Sequence, residues 1–89
     1  MSVEWHDRAK DQLADIWVTS LPAERELVEQ AIHDINARLD IEAQFLGEGR
    51  RPNERVWFRH PVAVRYHLIL GGVVRITHVA LLRPWTANE

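Results

Sequence analysis

Between positions 50 and 83 the chain gathers seven arginines, Arg50, Arg51, Arg55, Arg59, Arg65, Arg75 and Arg83, against a single acid, Glu54. His60, His67 and His78 lie among them. Two chemistries are open to such a set. Guanidinium groups grip phosphate oxygens bidentately, and an imidazole near its ordinary pKa could give or take a proton at neutral pH. Trp57 or Trp85, an aromatic among arginines, could stack on a base. Each has a plainer alternative: solvated strand positions for the arginines, half-buried rings with satisfied nitrogens for the histidines, and packing for the tryptophans. A metal centre is not expected, because the three histidines lack recognised ligand spacing and the chain has no cysteine.

The elements that must position these groups are strands. Two apolar runs, 62–70 and 73–82, are separated by Gly71-Gly72, a short-hairpin signal because both glycines accept positive φ. A third strand, 55–58, precedes the break at His60-Pro61. A two-residue turn pairs Leu70 with Val73 and so sets Arg65 opposite His78. Alternation then places Val62, Val64, Tyr66, Leu68 and Leu70 on one face with Val73, Thr77, Val79 and Leu81, Arg75 interrupting it at the rim. This face, richer in large aliphatics, is assigned to the core. The other, carrying Ala63, Arg65, His67, Ile69, Val74, Ile76, His78, Ala80 and Leu82, is expected to be half solvated and cationic. Its exposed Ile69, Val74 and Ile76 would form a binding patch. A single bulge would exchange the faces of one strand.

Upstream, residues 2–5 alternate like an edge strand. Ala9, Leu13, Ile16 and Trp17 make one apolar stripe on a helix over 7–18, with Asp7 as its cap. Pro22 suits the first turn of a second helix over 22–39, capped by Ser20 and striped by Leu27, Val28, Ala31, Ile32, Ile35 and Leu39. Residues 40–53 have no clear period and read as a loop, pinned to the core by Phe45 and Leu46. Trp17 and Tyr66 are expected in the core, the Tyr66 hydroxyl reaching a polar partner. The 89 residues suffice for one small domain, 1–89, around one core. No stretch reaches membrane-span length and no secretory signal opens the chain, so a cytoplasmic location is the expectation. The net charge of −2 and pI near 6.2 do not point to nucleic acid, but the acids concentrate in the helical half and the arginines in the strands.

This order of elements resembles the RelE/ParE superfamily of bacterial toxins. The residues that carry the resemblance are Trp5, Ala9, Leu13 and Ile16-Trp17, then Ala31, Ile32, Ile35 and Leu39. In the strands they are Arg55-Val56, Pro61-Val62, Val64-Arg65-Tyr66 and Val74-Arg75-Ile76. The resemblance implies an α+β fold, in which an N-terminal strand and a helical hairpin pack on a three- to four-stranded antiparallel sheet. It also implies the toxin of a type II toxin–antitoxin module, linked to plasmid stabilisation, needing no cofactor and neutralised by a cognate antitoxin. RelE-branch members cleave mRNA in the ribosomal A site, whereas ParE-branch members inhibit DNA gyrase. Others have no proven target, and a diverged member whose only activity is binding its antitoxin is the third reading.

The ribonuclease branch uses basic residues on its middle strands, an arginine just before the tyrosine strand position, an arginine after the last strand and often a C-terminal tyrosine. Aligned on Tyr66, Arg83 takes the late arginine position. Ala63 occupies the earlier one, and Arg65, two residues on and on the same face, could substitute. The strand-two lysines are missing, since no lysine follows Lys10, and Arg55, Arg59 or both would serve instead. No tyrosine follows Tyr66. Cleavage through the 2′-hydroxyl needs a base, an acid and cations for the phosphorane charge. In this reading Arg65 and Arg83 are the catalytic cations and His78 the proton carrier, with Arg55, Arg59, His67 and Arg75 contacting RNA or a partner. The missing lysines and tyrosine favour gyrase inhibition, which needs no catalytic set, and the acidic pI weighs against a ribosome-binding surface.

Overall fold

The computed structural model describes residues 2–82. In order these are β1 (Ser2–Trp5), α1 (Asp7–Thr19), α2 (Pro22–Glu42), a 3-10 turn (Ala43–Phe45), β2 (Glu48–Arg51), β3 (Glu54–Arg59), β4 (Val62–Ile69) and β5 (Val73–Leu81). The sheet has five strands in the order β1-β5-β4-β3-β2, so the expected three or four are exceeded. It is also mixed: β1 pairs parallel to β5, and the other pairs are antiparallel.

Both helices begin differently from the sequence reading. His6, not Asp7, caps α1, its Nδ1 accepting the Arg8 amide at 3.0 Å. Asp7 is the first helical residue, where its charge meets the positive end of the helix. Leu21 holds the cap position of α2 and donates its amide to the Glu24 carboxylate at 3.0 Å. Ser20, expected there, is instead buried and returns its hydroxyl to the Ile16 carbonyl. Residues 40–53 are not a loop. α2 runs on to Glu42, and β2 pairs with β3 across a turn at Pro52 and Asn53. Asn53 has φ 74, the left-handed second central position that Asn tolerates.

The core lies between the helices and one face of the sheet. Ala9, Ile16, Val28, Ala31, Ile35 and Leu39 meet Val62, Val64, Tyr66, Val74, Ile76 and Val79, all buried. Two aromatic expectations are corrected. Trp17 is 40% exposed, its ring lying 5.7 Å from the Arg25 guanidinium carbon. Phe45 is 75% exposed, and Leu46 alone of that pair packs against the core. Tyr66 is fully buried, with its hydroxyl 2.6 Å from the Ala43 carbonyl and 2.9 Å from that of Leu46.

The β4–β5 hairpin is where the chain departs most from simple alternation. Ile69, not Leu70, pairs with Val73, so the turn holds Leu70, Gly71 and Gly72, both glycines at positive φ. From Tyr66 to Ile69 the register is therefore one residue off the expected one. A bulge restores it, because Tyr66 pairs with Ile76 while Arg65 still pairs with His78, leaving Thr77 as the extra residue. Arg65 faces His78 as expected, but Val74 and Ile76 are in the core, not on the open face. The proposed patch of Ile69, Val74 and Ile76 does not exist, since Val74 and Ile76 are fully buried.

Candidate functional site

Cross-strand partners share a face, and this divides the strand arginines. Arg55 pairs with the buried Tyr66, and Arg59 with the buried Val62, so both lie on the helix side. Arg55 donates Nε to the Leu46 carbonyl at 2.6 Å and Nη2 to that of Gly47 at 2.9 Å. Arg59 clamps Asp34 of α2, with Nε 3.0 Å from Oδ2 and Nη2 on the same oxygen. Arg65 pairs with Val56 and His78 on the opposite, helix-free face. Neither Arg55 nor Arg59 can therefore join Arg65 at one phosphate. Both act as structural ties.

On the open face the charges fall in two cross-strand rows. Glu54, His67, Arg75 and Glu4 make the first, one from each of β3, β4, β5 and β1. Every member is paired: His67 Nε2 lies 3.0 Å from Glu54 Oε2, and Arg75 Nε donates to Glu4. The second row is Val56, Arg65 and His78. Among the described residues Arg65 has no ion pair.

His78 is held from both sides. Arg8, at the start of α1, brings Nη1 to 3.3 Å from His78 Nε2. A guanidinium has donors only, so Nε2 accepts and the ring carries its proton on Nδ1. That nitrogen lies 3.0 Å from the Thr77 hydroxyl, which donates onward to the Arg65 carbonyl at 3.3 Å. Burial first, and then the Arg65 and Arg8 charges, push the His78 pKa below its usual value. The ring is thus held neutral with both nitrogens committed.

Arg8 reaches this site because α1 lies along β5. β1 pairs only with Val73 to Ile76, and Gln12 Oε1 accepts the next free edge amide, that of Val79, at 2.8 Å. Arg8 was not singled out from sequence. It lies on a helix in the acid-rich half, and no period links it to a strand some 70 residues away. Arg83 and Trp85 lie outside the described residues. Among the described residues no group of three His, Cys, Asp or Glu gathers as metal ligands, and no helix is long and apolar enough to cross a membrane.

A second feature lies on the helix side. Trp5, Leu13, Ala14, Trp17, Val28 and Ile32 line a groove of about 710 Å³, rimmed by Lys10 and Glu29. Trp17 and the neighbouring Val18, which line it, are left exposed.

This arrangement matches solved structures over nearly its full length. The "Chromosomal ParDE TA system from P. aeruginosa" superposes with a TM-score of 0.67 at 21% identity, covering 93% of this chain and 97% of that one. The chain has the RelE/ParE fold. The isolated E. coli RelE toxin matches with a TM-score of 0.54 at 16% identity, over 97% of this chain and 88% of that one. A chain of the intact E. coli RelBE toxin–antitoxin complex matches at 0.52 and 17%, over 93% and 98%. No protein-family model and no curated sequence matches. On this RelE/ParE scaffold the open face presents Arg65, His78 and Arg8 together, while Arg55 and Arg59 are turned to the helices.

Proposed function

We propose that the chain is the toxin of a two-gene toxin–antitoxin pair and that it acts as ParE-branch members do, by inhibiting DNA gyrase. The observation that carries this is the partition of the arginines. Ribonuclease chemistry needs several cations at one phosphate. Here Arg55 and Arg59 are consumed on the helix side and Arg75 is neutralised by Glu4. His78 is locked between Arg8 and Thr77 instead of standing free to move a proton. The ParDE likeness, at 0.67 against 0.54 for RelE, supports the same branch.

The antitoxin is the second party. The groove lined by Trp5, Leu13, Trp17 and Ile32 suits an amphipathic helix, which would bury those side chains. Gyrase as the target places the protein in the cytoplasm.

Inducible expression in bacteria is the test. The expected outcome is a DNA-damage response with intact transcripts, and purified gyrase losing supercoiling activity as the protein is added. Unaltered supercoiling at high excess would overturn the gyrase assignment, and harmless induction the toxin assignment. Ribosome-dependent mRNA cleavage is the second reading, favoured by Arg65 standing directly opposite His78. It requires new transcript ends after induction, lost in Arg65→Ala and Arg83→Ala.

A further inference from the structure

We propose that Lys10 and Glu29 choose the helix that enters the apolar groove, by requiring an acid on one flank of its apolar stripe and a base on the other. The inference rests on the toxin assignment and deepens it, because it states which amphipathic helix the antitoxin must supply.

Both charges stand in the groove walls. On α1, Lys10 is followed by Leu13, Ala14 and Trp17 at i+3, i+4 and i+7, the spacing of one helix face. On α2, Glu29 is followed by Ile32 and Asn36 at i+3 and i+7. Among the described residues these two are the only charged side chains that line the groove. Neighbouring polar groups are engaged: Asn36 Oδ1 accepts the Trp5 indole at 2.9 Å, and Arg25 donates Nε to the Trp17 carbonyl at 2.9 Å. Lys10 and Glu29 are not. Among the described residues neither has an ion pair, and they do not pair with each other across the groove.

Apolar contact alone does not choose a partner. Trp5, Leu13, Trp17 and Ile32 would hold any helix with a stripe of large side chains, since apolar burial is non-directional. An occupant also takes water from both rims. A charge that loses water without gaining an opposite partner opposes binding, and a like charge brought against it opposes binding more. The helix that fits therefore carries an acid beside its stripe toward α1 and a base beside its stripe toward α2. Flanking charges choose partners in coiled coils by the same rule. The flanks exchange walls when a helix is turned end for end, so the same two charges also fix the direction in which it lies.

The test is selection of displayed helical peptides by the full chain. The library keeps one apolar stripe and varies its flanking positions among Glu, Lys and Gln. The wild type should enrich an acid on one flank and a base on the other. Lys10→Glu makes both walls acidic and should enrich bases on both flanks, whereas Glu29→Lys should enrich acids on both. These single reversals give the same answer whichever way the helix lies, and both positions are exposed, so the core is untouched. A peptide enriched by the wild type should bind each variant about tenfold more weakly in calorimetry, and the difference should shrink at about 1 M salt. Equal flank composition with all three proteins, or no charge preference with the wild type, would overturn the proposal; where those peptides are lost in Ile32→Glu, the groove itself stands as a docking site. Peptides that still bind Ile32→Glu would overturn the groove and the proposal together.

Discussion

Single residues carry different kinds of constraint in this chain. Tyr66 is constrained by a hydrogen bond: its hydroxyl is buried against two carbonyls, and desolvation raises its pKa. Tyr66→Phe keeps the shape and orphans the Ala43 carbonyl, so it should lose about 1–3 kcal/mol in urea unfolding. Gly47 is constrained by space, since at φ 66 a Cβ would lie 2.1 Å from the Val56 carbonyl oxygen. Gly47→Ala therefore requires backbone movement as well as a strained dihedral, and its unfolding midpoint should fall below that of Tyr66→Phe. His78 is constrained by charge. Its folded pKa is depressed below the usual 6.5 of a histidine, so the unfolded chain takes up the proton first as pH falls. Its contribution is complete above about pH 6.5 and is lost progressively below. Unfolding free energies measured between pH 5 and 8 should show this slope, and His78→Asn should flatten it.

At the scale of elements, the hairpin shows how two irregularities cancel. A three-residue turn shifts the register by one, and the Thr77 bulge shifts it back. Without the bulge, Val79 and Leu81 would turn to the open face. Deleting Thr77, in contrast, makes Tyr66–Ile76 and Arg65–His78 consecutive pairs and keeps Val79 and Leu81 on the core face, so denaturant unfolding should show a loss well below the roughly 3 kcal/mol of exposing two aliphatic side chains. The helix stripe was more directly legible. Val28, Ala31, Ile35 and Leu39 are all buried as their spacing required. Ile35→Ala should cost about 2–5 kcal/mol, whereas Leu68→Ala, at a half-buried site, should cost less. Leu27 was assigned to the same stripe but is 47% exposed, because at helical spacing it falls to one side of the line through Val28, Ala31, Ile35 and Leu39.

At the scale of the whole molecule the two faces of the sheet have separate duties. The helix side uses Arg55 and Arg59 to tie β3 to the rest of the fold, and it leaves an apolar groove beside α1. The open side carries Arg65, which has no ion pair among the described residues, and its neighbours. An antitoxin helix seated in the groove would depend on Trp17 and Ile32. Ile32→Glu should weaken antitoxin binding about a hundredfold in calorimetry, the scale of a buried interface anchor. Arg65→Ala should leave that binding nearly unchanged. Equal affinity of the Ile32→Glu protein would move the antitoxin to another surface.

The sequence by itself determined the elements that rest on short-range chemistry. The helices expected over 7–18 and 22–39 follow from apolar spacing and Pro22, and the strands of the hairpin follow from β-branched runs around two glycines. The pairing of Arg65 with His78 was also legible, though by a route in which two unseen shifts cancelled. Only the tertiary structure decided which face each arginine serves, because the β3 register depends on pairing with β4 and not on its own pattern. Only it decided that β1 joins β5 in parallel, a contact between residues some 70 positions apart that no local period encodes. The same long closure brings Arg8 to His78. Local preference forms strands and helices one at a time, but a site built from both ends of a chain exists only once the core has closed around them.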